Sequence, residues 1–140
     1  MVAINFFKED LRFKFSYQSK ARRWLKSCAA AEGYEIKNLN FIFTSDEALL
    51  RMNVEYLNHH TLTDIITFDN SENGGEIEGD VFISIPRARE NALKFGQPFE
   101  TELFRLLIHG LLHLMGYKDK TALSRKVMRQ KEDAYLSLLS

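Results

Sequence analysis

Two histidines and an aspartate near the end of the chain have the types and spacing of a metal site. His109 and His113 are four residues apart, so on a helix both imidazoles face one side, about 6 Å apart along the axis. Asp119 is the nearest carboxylate, but in a continuous helix it would lie about 15 Å from His109 along the axis. The chain must therefore turn, and Gly116 stands where a glycine, which adopts positive φ at low cost, would end the helix.

Two imidazoles and one carboxylate form a ligand set typical of catalytic zinc. Such a set leaves a fourth position for water, whereas structural zinc sites are normally closed by four protein ligands. The ion would lower the pKa of that water toward about 7 and polarise a phosphoryl or carbonyl oxygen. This predicts metal-assisted hydrolysis with the bound water as nucleophile. Because Asp119 adds a negative charge that an imidazole would not, we expect a weaker Lewis acid and a less acidic water.

Two other interpretations of this helix compete with a hydrolytic metal centre of this kind. In the first, both histidines are polar residues on a buried leucine-rich helix and bond to backbone carbonyls or water, but the trailing glycine and aspartate disfavour it. In the second, the protein is a metallopeptidase, whose zinc helix reads H-E-x-x-H with the glutamate as general base. This sequence has Gly110 at that position. Phosphodiester hydrolysis therefore fits better, since positioning and charge neutralisation dominate there.

Composition indicates one ordinary globular domain. Of 140 residues, 45% are hydrophobic and 27% charged, which suits one core and leaves little room for a second. The 19 basic and 19 acidic residues cancel, so any RNA-binding surface must be local. The single cysteine, Cys28, excludes an internal disulfide and is compatible with a reducing compartment, which predicts a cytoplasmic protein. No apolar run has the length of a signal segment or a membrane span.

Hydrophobic periodicity predicts four strands and five helices in one domain spanning residues 1–140. The predicted strands are 2–6, 39–44, 64–68 and 80–85, the last two forming a hairpin. The predicted helices are 17–33, 44–57, 86–95, 98–115 and 121–139, the second beginning at a capping box of Thr44 and Glu47. This order predicts an α+β fold with one roughly four-stranded mixed sheet, about five packed helices, and the metal site at the end of a central helix.

Residues 109–117 resemble the H-G-x-L-H-L-x-G-Y signature of the YbeY family of metal-dependent endoribonucleases. Asn53, Tyr56 and residues 63–68 resemble that family's L-N-x-x-Y segment followed by T-D-V-L-S-F, and residues 79–84 resemble its G-D-I-x-I-S strand. These ordered blocks cover most of the chain. The resemblance implies a bacterial cytoplasmic enzyme with zinc in its site that cleaves single-stranded RNA and acts in ribosomal RNA maturation and ribosome quality control.

Two departures from the family pattern bear on activity. The family commonly has Asp-His after the tyrosine, with that histidine as third ligand, whereas this chain has Lys118 and Asp119. A carboxylate there widens the choice of metal beyond zinc. The family also commonly has an arginine, important for activity, where this chain has Leu57. A basic group for the phosphate must then come from elsewhere, and Lys118, Lys120 and Arg105 are nearby candidates.

Other polar residues allow both a functional and a structural interpretation. In one interpretation, His59 and His60 form a metal-binding or proton-relay element. In the favoured interpretation, they are loop residues that face solvent. Asp64 either orients a metal ligand or caps a loop, and it is left out of the predicted site. Basic residues on two helices could contact RNA phosphates, but interspersed acids such as Glu132 and Asp133 favour solvated helix faces. The basic residues concerned are Arg22, Arg23, Arg125, Lys126, Arg129 and Lys131.

The sequence therefore predicts a single metal-dependent hydrolase domain, an endoribonuclease in which His109, His113 and Asp119 hold one zinc ion or another divalent metal. RNA, in particular ribosomal RNA and the ribosome, is the predicted partner, with no membrane and no disulfide partner. A second hypothesis, motivated by Leu57, is a ribosome-associated binding factor with a mainly structural metal site. A metallopeptidase-like hydrolase is a third.

Overall fold

The computed structural model describes residues 3–57 and 63–139, which build one sheet and the helices packed on it. The strands are β1 (Ile4–Lys8), β2 (Glu35–Thr44), β3 (Ile65–Asp69) and β4 (Glu76–Ser84). The helices are α1 (Gln18–Ala31), α2 (Asp46–Met52), α3 (Ile85–Lys94), α4 (Phe99–Leu114) and α5 (Ala122–Leu136), and a π-helical turn at Asn53–Leu57 continues α2. His59, His60 and the side chain of Leu57 lie outside this description, so the predictions made for them do too.

The sheet is mixed and has four strands, as predicted, in the order β1-β2-β4-β3. Strands β1, β2 and β4 are parallel, and β3 pairs antiparallel with β4 as the predicted hairpin. Parallel neighbours need crossover connections, and α1 supplies the one between β1 and β2. Strand β3 precedes β4 in the chain but lies at the edge of the sheet, which leaves β2 and β4 as the two central strands.

Helix α4 is the central helix, and it lies against β4 at very short range. A Cβ atom added at Gly110 would come within 2.8 Å of Val81 Cγ1, so only glycine lets the two backbones approach this closely. The rest of the buried face of α4 is almost entirely apolar, as its core position requires. Its fully buried side chains include Leu103, Leu107, Ile108, Leu111 and Leu112. This packing sets the height and rotation at which α4 presents its histidines.

The start of α2 differs from the predicted one. Thr44 is the last residue of β2, and the N-cap of α2 is Ser45, whose Oγ accepts a hydrogen bond from the backbone N–H of Ala48 at 3.1 Å. The predicted capping box of Thr44 and Glu47 is therefore wrong by one residue, because sheet pairing continues through Thr44. Strand β2 also begins earlier than predicted, at Glu35, since the long β4 pairs with it over its whole length.

The described helices belong to a packed domain. Within residues 3–57 and 63–139, none of them is both long and apolar enough to cross a bilayer. Cys28 is buried in α1 as a free thiol.

Candidate metal centre

The predicted turn after α4 is present, and Gly116 forms it. Its φ is 100°, a left-handed conformation that strains any residue with a Cβ. The N–H of Gly116 donates to the carbonyl of His113 at 3.0 Å, and the N–H of Tyr117 donates to the carbonyl of Leu112 at 3.0 Å. These are the two bonds of a Schellman helix end. The chain reverses here, and Asp119 returns to the last turns of α4.

A cluster around Glu32 holds the reversed segment in place. The hydroxyl of Tyr117 donates to Glu32 Oε1 at 2.6 Å, Lys131 Nζ donates to Oε2 at 3.0 Å, and the hydroxyl of Tyr135 also donates to Oε2. Burial alone would raise the pKa of Glu32, but these hydrogen bonds and the charge of Lys131 outweigh it and lower that pKa. Because Glu32 follows α1 and the other two partners lie on α5, the turn is tied to two helices besides α4.

Three potential ligand atoms converge beside this turn. His109 Nε2 and His113 Nε2 lie 3.0 Å apart, and Asp119 Oδ2 lies 3.2 Å from His113 Nε2 and 3.4 Å from His109 Nε2. Ligands held about 2.0–2.1 Å from a tetrahedral zinc ion lie about 3.3 Å from one another. The triangle of side chains has edges of that length, so the residues present fit such an ion. The structure thus brings together the three residues chosen from the sequence, and their role as metal ligands stays a prediction.

The second ring nitrogen of His109 has a buried partner that is absent from the predicted site. Because a carboxylate is only an acceptor, His109 Nδ1 is the donor in its 2.6 Å contact with Glu132 Oε2. Arg105 donates to the other oxygen of Glu132 at 2.8 Å and to Asp133 at 2.7 Å. A carboxylate in this position fixes the tautomer and ring orientation of an imidazole. The Nε2 lone pair of His109 is therefore directed toward His113 and Asp119.

Glu132 does not belong to a solvated helix face, as the sequence suggested, because it is only 4% exposed. Its register on α5 is the signal that could have identified it. Glu132 lies four residues after Met128 and three before Tyr135, the other buried residues of that helix. A charged side chain on the apolar stripe of an amphipathic helix needs a buried partner. Asp133, one position further on, is exposed as predicted.

A cavity of about 440 Å³ opens beside the three converging side chains. His109 and His113 line it from α4, and Asp64 lines it from the segment just before β3. The carboxylate of Asp64, whose role the sequence left open, accepts a hydrogen bond from Asn91 Nδ2 of α3 at 3.0 Å. Asp64 therefore lines the cavity and is hydrogen-bonded to α3, whereas Glu132 is the carboxylate that contacts His109.

Burial and neighbouring charges shift the pKa values of four groups in the cavity. Burial opposes the charged form of His109, but the hydrogen bond and charge of Glu132 outweigh it and raise the pKa of His109. Burial and the positive charge of His109 lower the pKa of His113, which favours the neutral form that can bind a metal. Burial raises the pKa of Asp64. Burial, together with the charge of Asp64, raises the pKa of Glu102 to about 7.

Two of the basic residues considered for phosphate contact line the cavity. Arg105 does so while bonded to its two carboxylates, and Arg129 does so with an exposed side chain. Lys118 and Lys120 are exposed and do not line it. The guanidinium of Arg129, which the sequence assigned to a solvated face, therefore lies at the cavity, 3.8 Å from Glu132 Oε1, with 58% of its side chain exposed. Among the described residues that line the cavity, it offers an exposed positive charge to a phosphate.

Comparison with known proteins shows the family. The family model described as Endoribonuclease YbeY matches residues 3–140 of this chain. The chain belongs to the YbeY family. A curated relative from Cytophaga hutchinsonii, named Endoribonuclease YbeY, is 54% identical over 96% of this chain and 94% of its own. Relatives of the same name from Flavobacterium psychrophilum and Amoebophilus asiaticus are 45% and 43% identical, over 99% and 95% of this chain and 96% and 90% of their own.

A solved structure has the same fold as this YbeY family member. The solution structure of a Thermotoga maritima protein is 27% identical and superposes with a TM-score of 0.68, covering 97% of this chain and 88% of that one. The fold class predicted from the sequence is confirmed, and so is the family that the three sequence blocks indicated.

Proposed function

We propose that this chain is a metal-dependent endoribonuclease that cleaves single-stranded RNA at a zinc ion held by His109, His113 and Asp119. The convergence of those three ligand atoms within 3.4 Å of one another, at the wall of an open cavity, carries the proposal. Relatives that align along almost the entire chain bear the name endoribonuclease. When bound, the ion would acidify a water molecule and polarise a phosphoryl oxygen.

The residues around the ligands have separate tasks in this proposal. Glu132 holds His109 in the tautomer whose Nε2 is free of a proton. The Glu32 cluster keeps Asp119 in reach by anchoring Tyr117. Arg129, exposed beside the cavity, offers a charge-assisted contact to the RNA backbone. With zero net charge on the chain, such local contacts must supply the attraction for RNA.

Gly110 favours a phosphodiester rather than a peptide as substrate. In H-E-x-x-H peptidases the residue after the first histidine is the general base. Here the Cβ direction of that residue points into β4, where Val81 Cγ1 would lie 2.8 Å away. A carboxylate at this position would meet the sheet instead of a substrate.

The cellular role that we propose is ribosomal RNA maturation and ribosome quality control in the cytoplasm, with the ribosome as partner. Membership in the YbeY family supports this role, because the family model matches residues 3–140. The resemblance of the sequence blocks to that family implies the same role. The single buried thiol of Cys28 is compatible with a reducing compartment.

Metal content and RNA cleavage of untagged, full-length protein test the proposal together. We expect about one zinc per chain by elemental analysis and cleavage of single-stranded ribosomal RNA that a chelator abolishes. His113→Ala should lose both metal and cleavage, whereas the control Arg125→Ala, on the exposed face of α5, should retain both. Equal cleavage by the wild type and His113→Ala would show that the activity comes from a contaminating nuclease and would refute the proposal.

A further inference from the structure

Glu102 is a buried carboxyl group with no partner on the described part of the chain. It lies on α4, is 6% exposed, and lines the cavity beside the metal centre. Within residues 3–57 and 63–139, no group donates a hydrogen bond to its carboxylate and no cation lies at ion-pair distance. Its oxygens do not belong to the described polar atoms that are sealed from solvent without a partner, so they face the cavity that the residue lines. A ligand with hydrogen-bond donors in the cavity would reach them and replace water as their partner.

The cavity places Glu102 and the metal centre on the same face of α4. Glu102, Leu106, His109 and His113 follow one another at helical spacing, and all four line the cavity. Seven residues separate Glu102 from His109, which is two helical turns or about 10 Å along the axis. A nucleotide that flanks a phosphate at the metal centre spans that distance.

An aromatic side chain, with the ammonium of Lys94 5.7 Å from its ring centroid, also lines the cavity. Phe95, the residue after α3, lines the cavity and leaves 53% of its surface exposed. It follows Asn91, the partner of Asp64, by one helical turn, so both residues are presented on the same side of that helix. An exposed aromatic ring and a carboxylate that line one cavity supply what a nucleobase requires, because stacking and edge hydrogen bonds are the two means of reading single-stranded RNA.

We infer that this cavity binds a guanine base of the RNA, with Phe95 as the stacking surface and Glu102 as the acceptor for the guanine N1–H and N2–H groups. The inference rests on the proposed function for the presence of RNA. An ionised carboxylate has two acceptor oxygens and no donor. Guanine offers two adjacent donors on its Watson–Crick edge, which match those oxygens one to one.

The other bases fit this carboxylate less well. Uracil has one donor, N3–H, flanked by two carbonyl oxygens, so an acceptor faces an acceptor. Cytosine and adenine each place a ring nitrogen acceptor beside the amino group, and the same repulsion results. With a pKa of about 7, Glu102 ionises at small cost near neutral pH, and two donors from guanine stabilise the ionised form.

Binding of the four nucleoside 5′-monophosphates to untagged, full-length protein tests the inference. All four probes carry the same phosphate, so the ratio of their dissociation constants, measured by NMR titration, reports on the base alone. We expect GMP to bind at least about tenfold more tightly than UMP, the scale of one bidentate base contact. Glu102→Gln should weaken GMP binding about tenfold and leave UMP within about twofold.

Two further variants separate base recognition from other effects. Phe95→Ala should weaken all four nucleotides about equally, by roughly tenfold, because stacking tolerates any base. Glu100→Gln, an exposed carboxylate on the first turn of α4, should leave the GMP to UMP ratio unchanged. Exchange of Glu102 breaks no hydrogen bond or ion pair with the part of the chain that the structure describes, so Glu102→Gln is expected to fold at least as well as the wild type.

Equal affinity for the four nucleotides, or an unchanged GMP to UMP ratio in Glu102→Gln, would overturn the inference. So would a second divalent ion, detected by titration of the zinc-loaded protein with Mg²⁺, that Glu102→Gln removes, since the carboxylate would then serve a cation. RNA cleavage is scored separately. Cleavage without guanine preference would refute the base pocket alone, and guanine preference without metal-dependent cleavage would refute the proposed function alone.

Discussion

Exchange of Glu132 for glutamine should weaken zinc binding through a change of tautomer at His109. The carboxylate accepts from His109 Nδ1 at 2.6 Å and from Arg105 at 2.8 Å. Glutamine has the same shape but only one acceptor oxygen, which the permanently charged guanidinium retains. Its NH₂ group then faces His109 Nδ1, so the imidazole accepts there and carries its proton on Nε2. That proton occupies the lone pair that points toward His113 and Asp119.

Loss of such a carboxylate partner typically weakens metal binding by about 10- to 100-fold, or about 1.4–2.7 kcal/mol. The dissociation constant for zinc, measured by competition with a chromophoric chelator on untagged protein, gives the answer directly. Asp133→Asn is the matched control, because it removes the negative charge of the other, exposed partner of Arg105, and we expect a change in zinc affinity within about twofold. Zinc affinity equal to that of the wild type in Glu132→Gln, with only thermal stability lowered, would show that Glu132 merely fills space and pairs with Arg105.

Three more predictions follow from the turn, the cavity and the third ligand. Gly116→Ala should lower the free energy of unfolding, measured in urea, by about 1–2 kcal/mol, because φ is 100° at this position. The control Gly74→Ala, whose added Cβ meets nothing within 4 Å, should change that free energy by less than about 0.5 kcal/mol. Similar losses in both variants would contradict the left-handed turn. Glu102 has a folded pKa of about 7 against an ordinary 4.5, so the wild type should lose stability relative to Glu102→Gln as pH rises from about 4.5 to about 7, by up to about 3 kcal/mol. Urea titrations of both proteins at pH 5 and pH 8 check this, and a constant difference would argue against a buried carboxyl. Asp119→His should move the acid limb of the pH–rate profile for RNA cleavage to lower pH, because the ligand set loses a negative charge; an unmoved profile would count against Asp119 as a ligand.

The part of the centre that lies within one stretch of sequence could be predicted. Helical spacing places His109 and His113 on one face, and the glycine requirement of a left-handed helix end places the turn at Gly116. Both features depend on neighbours within about ten residues. The structure confirms the predicted turn at Gly116, and it adds the two Schellman hydrogen bonds that close the helix there.

The missing parts depend on which elements pack together. Glu132 is 23 residues from the histidine that it holds. Its register on α5 predicts that it is buried, but which group it meets depends on how α5 docks against α4. Glu102 belongs to α4 itself, at seven residues before His109, so its shared face was readable from the sequence. The lack of a partner for its carboxylate within residues 3–57 and 63–139 was not readable, because it depends on α3, β3 and α5 as well.

Strand order is a second non-local property. Strand β4 pairs with β2 although β3 lies between them in the chain. Hydrophobic periodicity does not show which strands are neighbours in the sheet. The error in the helix cap at Thr44 has the same origin, since pairing with Ser84 of β4 keeps in the strand a residue that is otherwise a good helix cap.

The Glu32 cluster links residues that are far apart in the chain, so it forms late in folding. Glu32 contacts Tyr117 and Tyr135 across 85 and 103 positions of the chain, so this knot of hydrogen bonds closes only when the first and last helices have docked. Asp119 sits in the segment that the knot secures. If Asp119 is a metal ligand as proposed, tight metal binding requires completed tertiary structure, and we expect half-folded or truncated copies not to cleave RNA.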